Sequence, residues 1–141
     1  MKNGPILLIE DDIDDQEFII DALQALGVPN EIITFDNGQK ALDFLKISPG
    51  QFFMIISDVN LPIMTGMQLK AEIQKDEGLK SKSIPFIFLS TSADGKAVKE
   101  AFDLSAQGFF VKENTYQGIK SQLKGIVEYW KGSRHPNYKE A

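Results

Sequence analysis

At 141 residues the chain has the length of one ordinary domain, and a domain of that size buries roughly two-thirds of the surface its unfolded chain exposes. Hydrophobic residues at 43% and charged residues at 25% exclude an intrinsically disordered chain. A formal net charge of -5 argues against a surface that grips nucleic-acid phosphates, and the lack of any cysteine excludes a disulfide framework, a thiolate metal site and a cysteine nucleophile.

Met1-Lys2-Asn3-Gly4-Pro5 runs straight into a short apolar segment, without a signal-peptide core or an apolar stretch of about 18 residues. The chain is therefore expected in the cytoplasm, with neither membrane nor nucleic acid as a partner. Five apolar runs of strand length follow in order: Ile6–Ile9, Ile32–Phe35, Phe52–Ile56, Phe86–Leu89 and Phe109–Val111. They are β-branched or aromatic and nearly continuous, the pattern of parallel strands covered on both faces.

Between the runs lie segments with helical spacing. Phe18, Ile19, Ala22, Leu23 and Leu26 mark the first helix, with Gly27 as its stop. Ala41, Leu42 and Leu45 mark the second, before the Pro49-Gly50 break. Leu69 and Ile73 mark the third, which fades into a polar loop over Asp76 to Ser83. The fourth is expected from about Lys96 to Ala106, and the fifth from about Thr115 to Trp130, with Ile119, Leu123, Ile126, Val127 and Trp130 as its apolar stripe. The reading is a (βα)5 chain with a doubly wound parallel sheet over residues 1–131, followed by a polar tail over 132–141 that contains His135.

In an open sheet of this kind the binding crevice lies outside the carboxyl ends of the strands. The first strand ends in Glu10-Asp11-Asp12, the third in Ser57-Asp58, the fourth in Ser90-Thr91 and the fifth in Lys112. Carboxylates about 4 Å apart repel by roughly 4 kcal/mol at an effective dielectric of 20, so Glu10, Asp11 and Asp58 call for a cation. An all-oxygen donor set suits Mg2+, which combines one or two carboxylates with waters and a phosphate oxygen. Such a site would bring an anionic phosphoryl donor to a carboxylate nucleophile, with Lys112 and Ser90 able to meet further phosphoryl oxygens.

Taken together, Leu7-Leu8-Ile9-Glu10-Asp11-Asp12, the run from Ser57 to Gly66, Phe88-Leu89-Ser90-Thr91 and Gly108-Phe109-Phe110-Val111-Lys112 resemble the receiver domains of response regulators in two-component systems. The resemblance covers residues 5 to 130. It implies a five-stranded sheet in the order 2-1-3-4-5. It further implies that Asp58 is the phosphoacceptor, that Glu10 and Asp11 hold Mg2+ with Asp58, and that the backbone carbonyl of Asn60 completes the metal shell. Ser90 matches the switch hydroxyl, Lys112 the phosphate-pairing lysine, and Phe109 the aromatic partner of the switch. The implied partners are a histidine kinase or phosphotransfer protein and a downstream protein target, and the implied role is a phosphorelay switch rather than a metabolic enzyme. The pattern is most similar to small single-domain regulators of phytochrome-like and hybrid kinases. One departure is Glu113 where receivers commonly carry a proline after the lysine; a cis bond there would cost ~3 kcal/mol, so a trans peptide is expected.

Other readings stand beside this one. Asp12, Asp14 and Asp15 suit a helix N-terminus, so metal duty is assigned only to Glu10 and Asp11. A dehalogenase-type aspartate phosphatase needs an acid two residues after its nucleophile, where this chain has Asn60. A flavodoxin-like nucleotide module needs a phosphate-cradling loop after the first strand, where this chain has three acids. A receiver-like adaptor that never takes phosphate is the remaining alternative. On the fourth predicted helix, Ala97, Ala101 and Leu104 suffice to face the sheet. Val98 and Phe102 are then left as an exposed pair beside Phe109, a partner or homodimer surface on the fourth helix, fifth strand and fifth helix.

Overall fold

The computed structural model describes residues 4–92, 94–134 and 136; His135 and residues 137–141 of the expected tail lie outside the described residues. Strands β1 (Ile6–Ile9), β2 (Ile32–Phe35), β3 (Met54–Ser57), β4 (Phe86–Ser90) and β5 (Gly108–Val111) alternate with helices α1 (Ile13–Ala25), α2 (Gly38–Ile47), α3 (Gly66–Lys75), α4 (Glu77–Ser81), α5 (Gly95–Asp103) and α6 (Tyr116–Gly132). All pairings are parallel and the sheet order is β2-β1-β3-β4-β5, as expected.

Two differences from the sequence reading stand out, beside shifts of one to three residues at the ends of β4, β5, α5 and α6. β3 begins at Met54 rather than Phe52, although Phe52 and Phe53 are both buried. The polar stretch after α3 is not a plain loop, because Asp76 accepts a hydrogen bond from the Leu79 amide and caps α4, whose Leu79 reaches the core. One turn of helix with one buried residue has no periodicity to read. The predicted fourth and fifth helices are therefore α5 and α6.

Alternation along the strands divides the interior in two. Leu7, Ile9, Ile55, Phe86 and Phe88 face α2, α3, α4 and α5, while Ile6, Leu8, Met54, Ile56, Ile87 and Leu89 face α1 and α6. Both faces are covered, which explains why the strands read as continuous apolar runs. β1 lies between β2 and β3, so the chain reverses its winding there and a crevice opens above the carboxyl ends of β1 and β3. Gly27, at φ 75°, ends the first crossover in the left-handed region that glycine enters without a Cβ clash.

Candidate functional site

The sheet ladder continues one residue past each strand end. Glu10 N donates to Phe35 O (3.0 Å), Asp58 N to Ile9 O (3.0 Å) and Lys112 N to Ser90 O (2.6 Å). These bonds fix the backbones of the acidic residue, the candidate nucleophile and the lysine on one edge. Glu10, Asp58, Ser90 and Lys112 are all buried, whereas Asp11 is exposed at the mouth.

Carboxylate oxygens of Glu10, Asp11 and Asp58 lie within 4.8 Å of one another. Three anionic donors at that spacing, all oxygen, fit a hard divalent cation. Asp58 is held from below: its Oδ1 accepts from the Val59 amide (2.7 Å) and the Asn60 amide (3.3 Å), while Oδ2 lies 3.7 Å from Lys112 Nζ. Asn60 itself is exposed.

Lys112 spans the floor of the crevice. Its ammonium donates to Glu10 Oε1 at 2.6 Å and to Asp15 Oδ2 at 2.8 Å. Burial pushes the Glu10 carboxyl up to about 7, against the hydrogen bond and charge of Lys112, and the charge of Asp58 adds to the rise. Burial works against the Lys112 ammonium, but its hydrogen bonds to Asp15 and Glu10 outweigh that and hold its pKa above the ordinary value. The two directions come from burial at Glu10 and from carboxylate hydrogen bonds at Lys112.

Ser90 Oγ is buried and has no hydrogen-bond partner among the described residues. An orphaned hydroxyl costs about 1–3 kcal/mol, which a hydrogen-bonding ligand would recover. Phe109 is half-buried and stacks beside Phe88, ring centroids 5.7 Å apart, on the sheet face that carries Ser90. Gly66 closes the loop after Asp58: its amide donates to Val59 O at 2.9 Å, and a Cβ there would overlap the Asp58 carbonyl oxygen. The Lys112–Glu113 peptide is trans, there being no cis bond among the described residues.

The structure thus brings Glu10, Asp11, Asp58, Ser90 and Lys112 to one strand edge and places Phe109 beneath it. Asp12 does cap α1, accepting from the Asp15 amide at 3.0 Å. Asp15 was expected as a first-turn acid only, and its contact with Lys112 was missed, because the two residues lie 97 positions apart. On α5, Ala97, Ala101 and Leu104 pack against the core and Phe102 is 52% exposed, but Val98 is half-buried rather than exposed.

A doubly wound parallel sheet with carboxylates, a hydroxyl and a lysine gathered at its switch point defines an α/β protein whose polar site lies outside the carboxyl ends of its strands. The sequence matches the family described as response regulator receiver domain over residues 6–124, and the chain belongs to that family. It is 32% identical over 127 residues to chemotaxis protein CheY-3 of Vibrio cholerae, covering 90% of this chain and 94% of CheY-3. Response regulator Rcp1 of Synechocystis is 28% identical over 131 residues, covering 89% and 87% of the two chains. The crystal structure of the Mn(2+)-bound form of Rcp1 matches with a TM-score of 0.80 at 26% identity, over 90% of this chain and 94% of that one. The phosphorylated cyanobacterial phytochrome response regulator RcpA matches with a TM-score of 0.87 at 30% identity, over 96% of this chain and 99% of that one. The chain is thus a receiver domain of a response regulator in two-component signalling, a class of switch rather than of metabolic enzyme.

Proposed function

We propose that Asp58 accepts a phosphoryl group from a histidine kinase or phosphotransfer protein and that the phosphorylated chain signals through protein contacts. One observation carries the reading: the Asp58 carboxylate lies within metal-sharing distance of Glu10 and Asp11 on one side and 3.7 Å from the Lys112 ammonium on the other. The P–N bond of the donor phosphohistidine, whose other ring nitrogen carries a proton, breaks with its electron pair staying on nitrogen as a P–O bond to an Asp58 carboxylate oxygen forms, so the imidazole departs neutral with that proton. Glu10, Asp11, Asp58 and the backbone carbonyl of Asn60 would hold Mg2+. When bound, the ion neutralises charge on the phosphoryl oxygens during transfer. Mn(2+) in Rcp1 and phosphorylation of RcpA, the two similar structures, support the reading.

Lys112 pairs with one phosphoryl oxygen as a point charge and Ser90 donates its free hydroxyl to another. Drawing Ser90 toward the phosphoryl group vacates space beside Phe88, into which the Phe109 ring turns. The change then reaches the surface formed by Phe109, Val98 and Phe102 on β5 and α5, where a target or a second copy binds. With acetyl phosphate and Mg2+, intact-mass spectrometry should find a single phosphoryl group, acid-stable and base-labile. Phosphoryl gain by Asp58→Ala under the same conditions would overturn the assignment.

A further inference from the structure

Lys112 meets three carboxylates and sits closest to the two that are not the nucleophile. Its Nζ is 2.6 Å from Glu10, 2.8 Å from Asp15 and 3.7 Å from Asp58, with a side chain only 3% exposed. Asp15 is not one of the three clustered metal donors. It stands on the first turn of α1, where its own amide is tied to the Asp12 cap, so its carboxylate approaches the crevice from a rigid support. A cation taken up by Glu10 and Asp11 would draw on the Glu10 carboxylate. Asp15 would then be the carboxylate, apart from the nucleophile, still holding the ammonium.

We infer that Asp15 is a positioning residue that holds the Lys112 ammonium on the α1 side of the crevice, away from Asp58, and so slows phosphoryl uptake. The inference rests on the reading of Asp58 as phosphoacceptor. An ammonium shared with Asp15 places less of its charge on an arriving phosphoryl group, and charge delivered at the transferring oxygens governs this reaction. Once a cation has drawn the Glu10 carboxylate away, neutralising Asp15 frees Lys112 to move the short distance to Asp58. Glutamate in its place restores the anchor, since only the reach of the carboxylate changes.

The first test needs Mg2+ but no phosphoryl donor. In Mg2+-loaded protein with 13C-labelled aspartate, the Asp58 carboxyl resonance should shift in Asp15→Asn as the ammonium moves onto it, and should return toward the wild-type position in Asp15→Glu. The second test follows the initial rate of phosphorylation by acetyl phosphate with Mg2+. Asp15→Asn should be faster by about fivefold, the size expected of one partly solvated ion pair; Asp15→Glu should stay near wild type, and Asp15→Asn should add nothing in a Lys112→Ala background. Equal acceleration in that background would mean that Asp15 acts on the donor by simple repulsion, and the inference fails. An unmoved Asp58 resonance, or an Asp15→Asn protein no faster than wild type, also overturns it. Should Lys112→Ala react too slowly to read, the resonance decides. A wild-type protein that takes no phosphoryl group would instead overturn the reading of Asp58, a result distinct from either.

Discussion

Ser90 has a hydroxyl that folding strips of water without supplying a partner among the described residues. The group is therefore a cost to the fold, and Ser90→Ala should leave stability unchanged or raise it by up to about 1 kcal/mol. A urea melt that places Ser90→Ala clearly below wild type would show a structural role instead. Lys70 presents a comparable cost with charge. It is buried on α3, its ammonium bonds Gln74 Oε1 at 3.1 Å and lies 5.6 Å from the Phe86 ring centroid, and burial lowers its pKa below the ordinary lysine value. A base with a depressed folded pKa binds protons more weakly in the native state, so its penalty is complete at neutral pH and fades as pH rises from the folded pKa toward the unfolded one. Lys70→Met should accordingly be more stable at pH 7, by on the order of 1 kcal/mol. Its advantage should narrow as pH rises toward the ordinary lysine pKa of about 10.4. A gap between the two melting curves that is constant with pH would remove charge burial as the cause.

At the scale of elements, α5 decides what the switch can present. Asp94 caps its start, accepting from the Ala97 amide at 2.7 Å, and Ala97, Ala101 and Leu104 turn toward the core. Phe102 is left outward, four residues from the half-buried Val98. A large exposed aromatic on a helix that borders β5 would offer an apolar anchor to a partner, in line with the proposed function. Under beryllofluoride and Mg2+, sedimentation velocity should show a shift toward dimer that Phe102→Glu abolishes while the monomer stays folded, because Phe102 is already 52% exposed. A protein that remains monomeric throughout, with no target lost on mutation, would leave Phe102 without this role. The helical spacing of residues 97 to 104 already separated the inward from the outward positions. How far Val98 would be covered was not legible, since that depends on neighbours brought by the fold.

For the whole molecule, the crevice gathers Glu10, Asp15 and Asp58 around Lys112, with Asp11 beside Glu10 and Asp58, in a chain whose net charge is -5. The cation site exists only when β1 and β3 are paired, so an ion bound there stabilises the native state alone. At a hundredfold excess over Kd that amounts to about 2.7 kcal/mol, or several degrees in Tm. Millimolar Mg2+ should raise Tm accordingly, and Asp11→Asn should reduce most of the gain, since Asp11 is exposed and its loss leaves the fold untouched. A Tm indifferent to Mg2+ in the wild type would argue against a metal site.

What the sequence determined by itself was the strand runs, the helices with several apolar turns and the residues that end each strand. Parallel strands covered on both faces are apolar at every position, a local signal, and where the run stops the next residue stands at the sheet edge. Asp58, Ser90 and Lys112 are legible for that reason. The tertiary structure decided the rest. β1 had to sit between β2 and β3 before the acids of one strand met the aspartate of another, and α1 had to pack against α6 before Asp15, 97 residues from Lys112, took its ammonium. Pairings at that separation follow from loop closure and core packing, which leave no periodicity in either segment, and the single turn of α4 owes its place to one cap and one buried leucine.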